Sequence, residues 1–118
     1  KTGYSKFGSY TGNGNANGTF VYTGFKPSWV MLKQSSGSND DWGIYDTTRQ
    51  PINEMDTLIR PDTTAAEYDG GSNRALDILS NGFKLRTSNA TFNEAQSYIY
   101  MAFGQTIVGS NDVPATAR

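Results

Sequence analysis

The sequence predicts an all-β chain, a single antiparallel β-sandwich with little helix. Three observations carry this reading. Short runs rich in β-branched and aromatic residues recur along the 118 residues, and such runs favour strands. Turn-forming clusters separate them, among them Asn13-Gly14, Asn17-Gly18 and Ser80-Asn81-Gly82. No stretch shows the sustained 3.6-residue apolar period of a long amphipathic helix. Gly, Ser, Thr and Asn number 13, 11, 13 and 10, and 13% of the chain is aromatic against 18% charged. Disorder needs the opposite balance, with few aromatics and many charges.

The elements follow in order. Tyr4 to Tyr10 is the first strand, and the Asn-Gly stretch after it, residues 11–18, is a tight connection, because Asn and Gly tolerate positive φ. A glycine-rich phosphate cradle would need a helix next, and the strand Thr19 to Thr23 follows instead. Ser28 to Gln34 is a strand whose contiguous apolar residues suggest burial on both faces. Asp41 to Asp46 is its hairpin partner. Residues 47–71 form an irregular excursion with Pro51 and Pro61, one strand near Thr57 to Arg60, and a helical turn over Thr63 to Glu67. Arg74 to Leu79 and Phe83 to Thr87 make a hairpin about Ser80-Asn81-Gly82, with Phe83 and Leu85 inward and Lys84 and Arg86 outward. Ser88 to Gln96 is a loop, and Ser97 to Phe103 is the best central strand. The expected core is Trp29, Val30, Leu32, Phe83, Leu85, Ile99, Met101 and Phe103, with Tyr98 and Tyr100 also inside. The chain is one domain, 1–118, with a polar tail over 104–118.

Composition narrows the chemistry. With no cysteine and no histidine, thiolate metal sites, disulfides and His-containing triads are excluded, and the commonest general base is missing. The expectation is therefore no enzyme, no cofactor and no metal. Calcium through Asn39, Asp40, Asp41 and Asp69, or a carboxylate pair for glycoside cleavage, is the weaker alternative, since these residues lie in turns that short polar side chains cap. Ten basic residues against eleven acidic ones give no field for nucleic acid or an anionic membrane, and no apolar run reaches the ~20 residues of a membrane helix. A ligand site, if present, falls on loops: Trp42, Arg60, Tyr68, Asp69 and Arg74 combine an aromatic face for stacking on a sugar ring with hydrogen-bonding groups for its hydroxyls.

Gly24-Phe-Lys-Pro-Ser-Trp-Val-Met-Leu-Lys33, Trp42-Gly-Ile-Tyr-Asp46, Leu79-Ser-Asn-Gly-Phe-Lys-Leu-Arg86 and Ser97-Tyr-Ile-Tyr-Met-Ala-Phe103, in this order, resemble a domain of tailed-bacteriophage virion structural and tail-fibre-like proteins from marine and environmental phages. The ending Val113-Pro-Ala-Thr-Ala-Arg118 resembles chain ends in that group. The resemblance implies a lectin-like or jelly-roll-like sandwich located in the virion as a tail-fibre, appendage or capsid-decoration component. Its partners would be other virion subunits, with homo-oligomerisation across exposed edge strands. Alternatively it implies a receptor-binding module for host surface glycan. It carries over no binding residue. The start at Lys1 rather than Met adds the expectation of a processed fragment or C-terminal module of a longer virion protein.

Overall fold

A computed structural model describes residues 3–39 and 41–105. The expectations for Asp40 and for the tail beyond Gln105 lie outside the described residues. The fold is all-β with antiparallel pairing throughout. A four-stranded sheet runs in the order β1 (Ser5–Thr11), β9 (Ser97–Gln105), β3 (Lys26–Gln34), β4 (Trp42–Asp46). A three-stranded sheet, β2 (Phe20–Tyr22), β8 (Gly82–Leu85), β7 (Leu76–Leu79), packs across its inner face. β5 (Thr57–Leu58) and β6 (Tyr68–Asp69) form a small ribbon. The β3–β4 and β7–β8 hairpins and the central place of β9 agree with the sequence reading.

The two flanks of the sandwich differ. On one side the sheets are stitched together by backbone pairs: Ile44 bridges Ile59, and Met55 bridges Leu76. Residues 47–71, irregular in sequence, are the closure of that flank. On the other side β1 and β2 are both edge strands, paired on one side only among the described residues, with β9 and β8 respectively. They lie close together, with Lys6 Nζ 5.4 Å from the centre of the Tyr22 ring.

Strand register decides the core. Inner rows of the main sheet read Ala102–Val30–Tyr45, then Tyr100–Leu32–Gly43, then Tyr10–Tyr98–Gln34. Outer rows read Ser5–Phe103–Trp29–Asp46, Phe7–Met101–Met31–Ile44 and Ser9–Ile99–Lys33–Trp42. Val30, Leu32, Phe83 and Leu85 are fully buried as expected. Trp29, Ile99, Met101 and Phe103 are not core: they sit half-buried or exposed on the outer face, Ile99 at 46%. Both phases of β9 are apolar, so alternation could not choose between them. The tyrosine phase goes inside with Tyr98, whose hydroxyl donates to Ala90 O there, since a buried hydroxyl without an acceptor is costly. β3 is buried on one face only, not on both as expected, because the second sheet covers the inner face alone.

That acceptor belongs to the second departure. Within the stretch read as a loop, Ala90–Asn93 is a single helical turn, α1. Asn89 caps it, its side chain accepting from Thr91 N at 3.0 Å. Two of its carbonyls are held by core tyrosines: Tyr98 donates to Ala90 O at 2.7 Å and Tyr10 to Phe92 O at 2.8 Å. Phe92 is fully buried beneath β4. Gly43 permits this, since a Cβ there would lie 2.4 Å from Phe92 Cζ. The helical turn expected over Thr63 to Glu67 is absent. Thr63 Oγ1 instead accepts from Ala65 N at 3.2 Å, and the chain re-extends into β6.

The aromatic centre is Tyr10 stacked on Tyr98 at 5.0 Å, with Phe83 edge-on to Tyr10 and Tyr100. Burial pushes the hydroxyls of Tyr10, Tyr45, Tyr98 and Tyr100 above their ordinary range; at Tyr45 the Arg74 charge opposes the shift only in part. A raised folded-state value means that the unfolded chain ionises first. Stability from these groups is fully present below pH ~10 and is lost as pH rises from there toward the folded values. Absorbance titration at the phenolate band is expected to show these tyrosines ionising only together with unfolding. Reversible titration of all seven tyrosines in a chain that stays folded would contradict the burial pattern.

Candidate functional site

The sequence-derived site residues divide between two places. Arg60, Tyr68, Asp69 and Arg74 gather at the β5–β6 ribbon; Trp42 lies on the outer face of the main sheet.

At the ribbon, Leu58 pairs with Tyr68 and Thr57 with Asp69. Arg60, two residues beyond Leu58, is then a diagonal neighbour of Tyr68. Its Cζ stands 5.1 Å from the Tyr68 ring centre, and that of Arg74 stands 5.8 Å from it. Gly70 lets the chain turn back this closely, because a Cβ there would meet Arg74 Cβ and Cγ at 2.3 Å. Tyr68 is 36% exposed. The ring is thus engaged by guanidinium groups through cation–π contacts, rather than offering both faces to a sugar.

The two arginines differ. Arg74 is held on several sides: Nη1 donates to Asn89 Oδ1 at 2.7 Å, Nη2 lies 3.7 Å from Asp41 Oδ2, and Cζ stands 5.7 Å from the Phe92 ring centre. Its carbonyl accepts from the Tyr45 hydroxyl. It ties β4, the ribbon and α1 together. Arg60 has the Tyr68 ring, and among the described residues its guanidinium has no carboxylate or other acceptor; its Nε is buried without a partner. Neighbouring charges are mostly matched: Arg49 pairs with Glu67, and Asp69 Oδ1 accepts from Gly71 N at 3.2 Å. Asp69 is exposed.

Trp42 carries the Lys33 ammonium 5.7 Å from its ring centre. With Phe7, Met31, Ile99 and Met101 it lines an apolar trough of about 360 Å³, floored by Leu32 and Tyr100. This trough belongs to a larger surface that sequence reading missed. Eight of the twelve residues in the outer rows of the main sheet are apolar, Ile99 and Phe7 are exposed there, and the rings of exposed Tyr4 and of Phe7 lie 6.2 and 5.8 Å from that of Phe103; Phe20 and Tyr22 are exposed on the smaller sheet. The signal was present in the second apolar phase of β9 and in the Phe20–Tyr22 alternation.

The remaining candidates are structural. In the Asn-rich loop, Asn13 Oδ1 accepts from Asn15 N, Asn15 Oδ1 accepts from Asn17 N, and Lys84 donates to Asn17 Oδ1. The side chains fold the loop on itself. Among the described residues no three acidic side chains gather as a metal site; Asp41 faces Arg74.

Of known families, one described as a domain of unknown function (DUF7483) matches residues 1–106. No curated protein and no solved structure matches the chain.

Proposed function

The chain belongs to the DUF7483 family, a domain of unknown function; from its surface and its sequence resemblance we propose that it is a non-enzymatic structural module of a bacteriophage particle, a tail-fibre, appendage or capsid-decoration component that works by self-association. The observation that carries the reading is the open flank, where β1, an edge strand of the main sheet among the described residues, is continuous with the largely apolar outer face. Soluble monomers seldom expose contiguous apolar patches above a few hundred Å². Four strands ~4.8 Å apart and seven residues of ~3.3 Å give a face of ~440 Å² in projection. Tyr4 extends it, its ring 6.2 Å from that of Phe103, toward the ~800 Å² per partner of a standard interface.

The occupant is a second copy of this chain. β1 is centred on Gly8, so antiparallel pairing of two β1 strands about a two-fold axis sets Phe7 opposite Ser9 and joins the two outer faces into one. The phage assignment draws on the four ordered segments named above.

Sedimentation velocity over rising concentration tests this. The intact chain is expected to associate, and Phe7→Lys and Ile99→Lys, both at exposed positions, are expected to weaken association by at least about tenfold. A chain that stays monomeric at millimolar concentration, or variants that associate like wild type, would overturn it. A second reading, a receptor-binding module for host surface glycan, is favoured by one observation: the guanidinium of Arg60, without an acceptor among the described residues, beside exposed Tyr68.

A further inference from the structure

We infer that Lys84 and Asn17 become joined by an isopeptide bond, which the folded chain forms by itself with release of ammonia. The inference is independent of self-association and of the glycan-binding reading.

The reacting groups already touch. Lys84 Nζ donates to Asn17 Oδ1 at 2.6 Å, across 67 residues of sequence. An amine held against an amide carbonyl is a nucleophile beside its electrophile, and such placement removes much of the barrier of a two-body step. Asn17 is itself fixed. Its N–H donates to Asn15 Oδ1 at 2.8 Å and its carbonyl accepts from Asn13 Nδ2 at 3.0 Å. Its Nδ2, the leaving group, has no partner among the described residues. The usual competitor at an Asn-Gly pair is attack of the glycine nitrogen on the side-chain amide. Here Gly18 N–H is engaged by Leu85 O at 3.0 Å, and Gly18 is buried.

The sheet supplies a proton carrier. Lys84 pairs with Phe20 on one side and with Asp77 on the other. Residues directly opposed on neighbouring strands share a face, with Cβ atoms ~4.5–5.5 Å apart, so the Asp77 carboxyl stands beside the Lys84 side chain. Arg86 Nε lies 3.7 Å from Asp77 Oδ2, and Asp77 Oδ1 has no partner among the described residues. Asp77 takes a proton from Lys84, and Nζ attacks Asn17 Cγ. Asp77 returns that proton to Nδ2, the Cγ–Nδ2 bond breaks, and ammonia leaves. The excess proton remaining on Nζ passes to the ammonia, which departs as ammonium. An ammonium and a primary amide thus become a secondary amide and an ammonium ion, with no oxidant or reductant. In a chain without cysteine, this bond fastens the Asn-rich loop to β8 and restricts the unfolded chain as a disulfide would.

Intact-mass spectrometry of the folded chain, followed over days at neutral pH, tests the assignment. The expected mass falls below that of the sequence by one ammonia, and tryptic digestion recovers the peptides carrying Asn17 and Lys84 joined to each other. Lys84→Arg, which keeps the cation without the nucleophile, and Asn17→Ala are expected to keep their full mass, with circular dichroism like that of wild type. Asp77→Ala is expected to slow joining at least about a hundredfold, the scale of a lost general acid and base. A folded wild-type chain that keeps its full mass overturns the inference. Loss of ammonia that persists in Lys84→Arg also overturns it, in favour of ring closure within an Asn-Gly pair. Joining in Asp77→Ala at the wild-type rate overturns the role given to Asp77.

Discussion

Truncating Phe92 to alanine is expected to lower the unfolding free energy by about 3–5 kcal/mol, the range for large aromatic truncations in cores, out of the ~5–15 kcal/mol that domains possess. Phe92 is fully buried, its ring 6.1 Å from that of Tyr45 and capped on another side by the Arg74 guanidinium. It fills the space that Gly43 leaves open beneath β4. Removing it opens a cavity, loosens the Arg74 tie to the ribbon, and takes away what anchors a one-turn helix too short to persist alone. Urea unfolding followed by tryptophan fluorescence measures the loss. A change below about 1 kcal/mol would show that α1 does not plug the core.

The second large effect is expected at Asn93. Replacing it with aspartate should cost about 2–4 kcal/mol at neutral pH, because the buried carbonyl of Thr87 and the part-buried one of Asn15 lose their donor and face a carboxylate instead. Asn93 is fully buried, and its Nδ2 donates to Thr87 O at 2.7 Å and Asn15 O at 2.8 Å. Its Oδ1 accepts from Asn13 N at 3.1 Å. One side chain therefore fastens the Asn-rich loop to the turn before α1. The aspartate variant should regain part of its stability as pH falls and the carboxyl protonates, becoming a donor again. Thermal melts at neutral and acidic pH check both points. Equal melting temperatures for variant and wild type at neutral pH would mean that water replaces Asn93 without loss.

The sequence alone determined the class of the fold. The turn chemistry at Ser80-Asn81-Gly82, the alternation of Phe83 to Arg86 and the pairing of Trp42 to Asp46 with the strand before it are local matters, and local patterns settle them. Arg60, Tyr68 and Arg74, singled out in an irregular, polar, aromatic-bearing excursion, do come together at the ribbon, with Asp69 next to Tyr68 in β6. Trp42 was misplaced with them: it is sequence neighbour to Asp41, which does reach Arg74, but its own side chain points to the opposite face of β4.

Tertiary structure decided what depends on partners far along the chain. In Ser97 to Phe103 both alternating sets are apolar, and only the acceptors on α1 and the side chain of Gln34 draw Tyr98 inward and leave Ile99 and Phe103 outside. α1 itself forms because Tyr10 and Tyr98, remote in sequence or strand-bound, satisfy its carbonyls. The asymmetry of the flanks is likewise invisible in sequence, because it arises from two backbone bridges, Ile44–Ile59 and Met55–Leu76, that close one side and leave β1 and β2 open on the other. Periodicity tells which residues share a face of a strand; which face is inside is set by hydrogen-bond partners and neighbouring strands that meet only when the chain has folded.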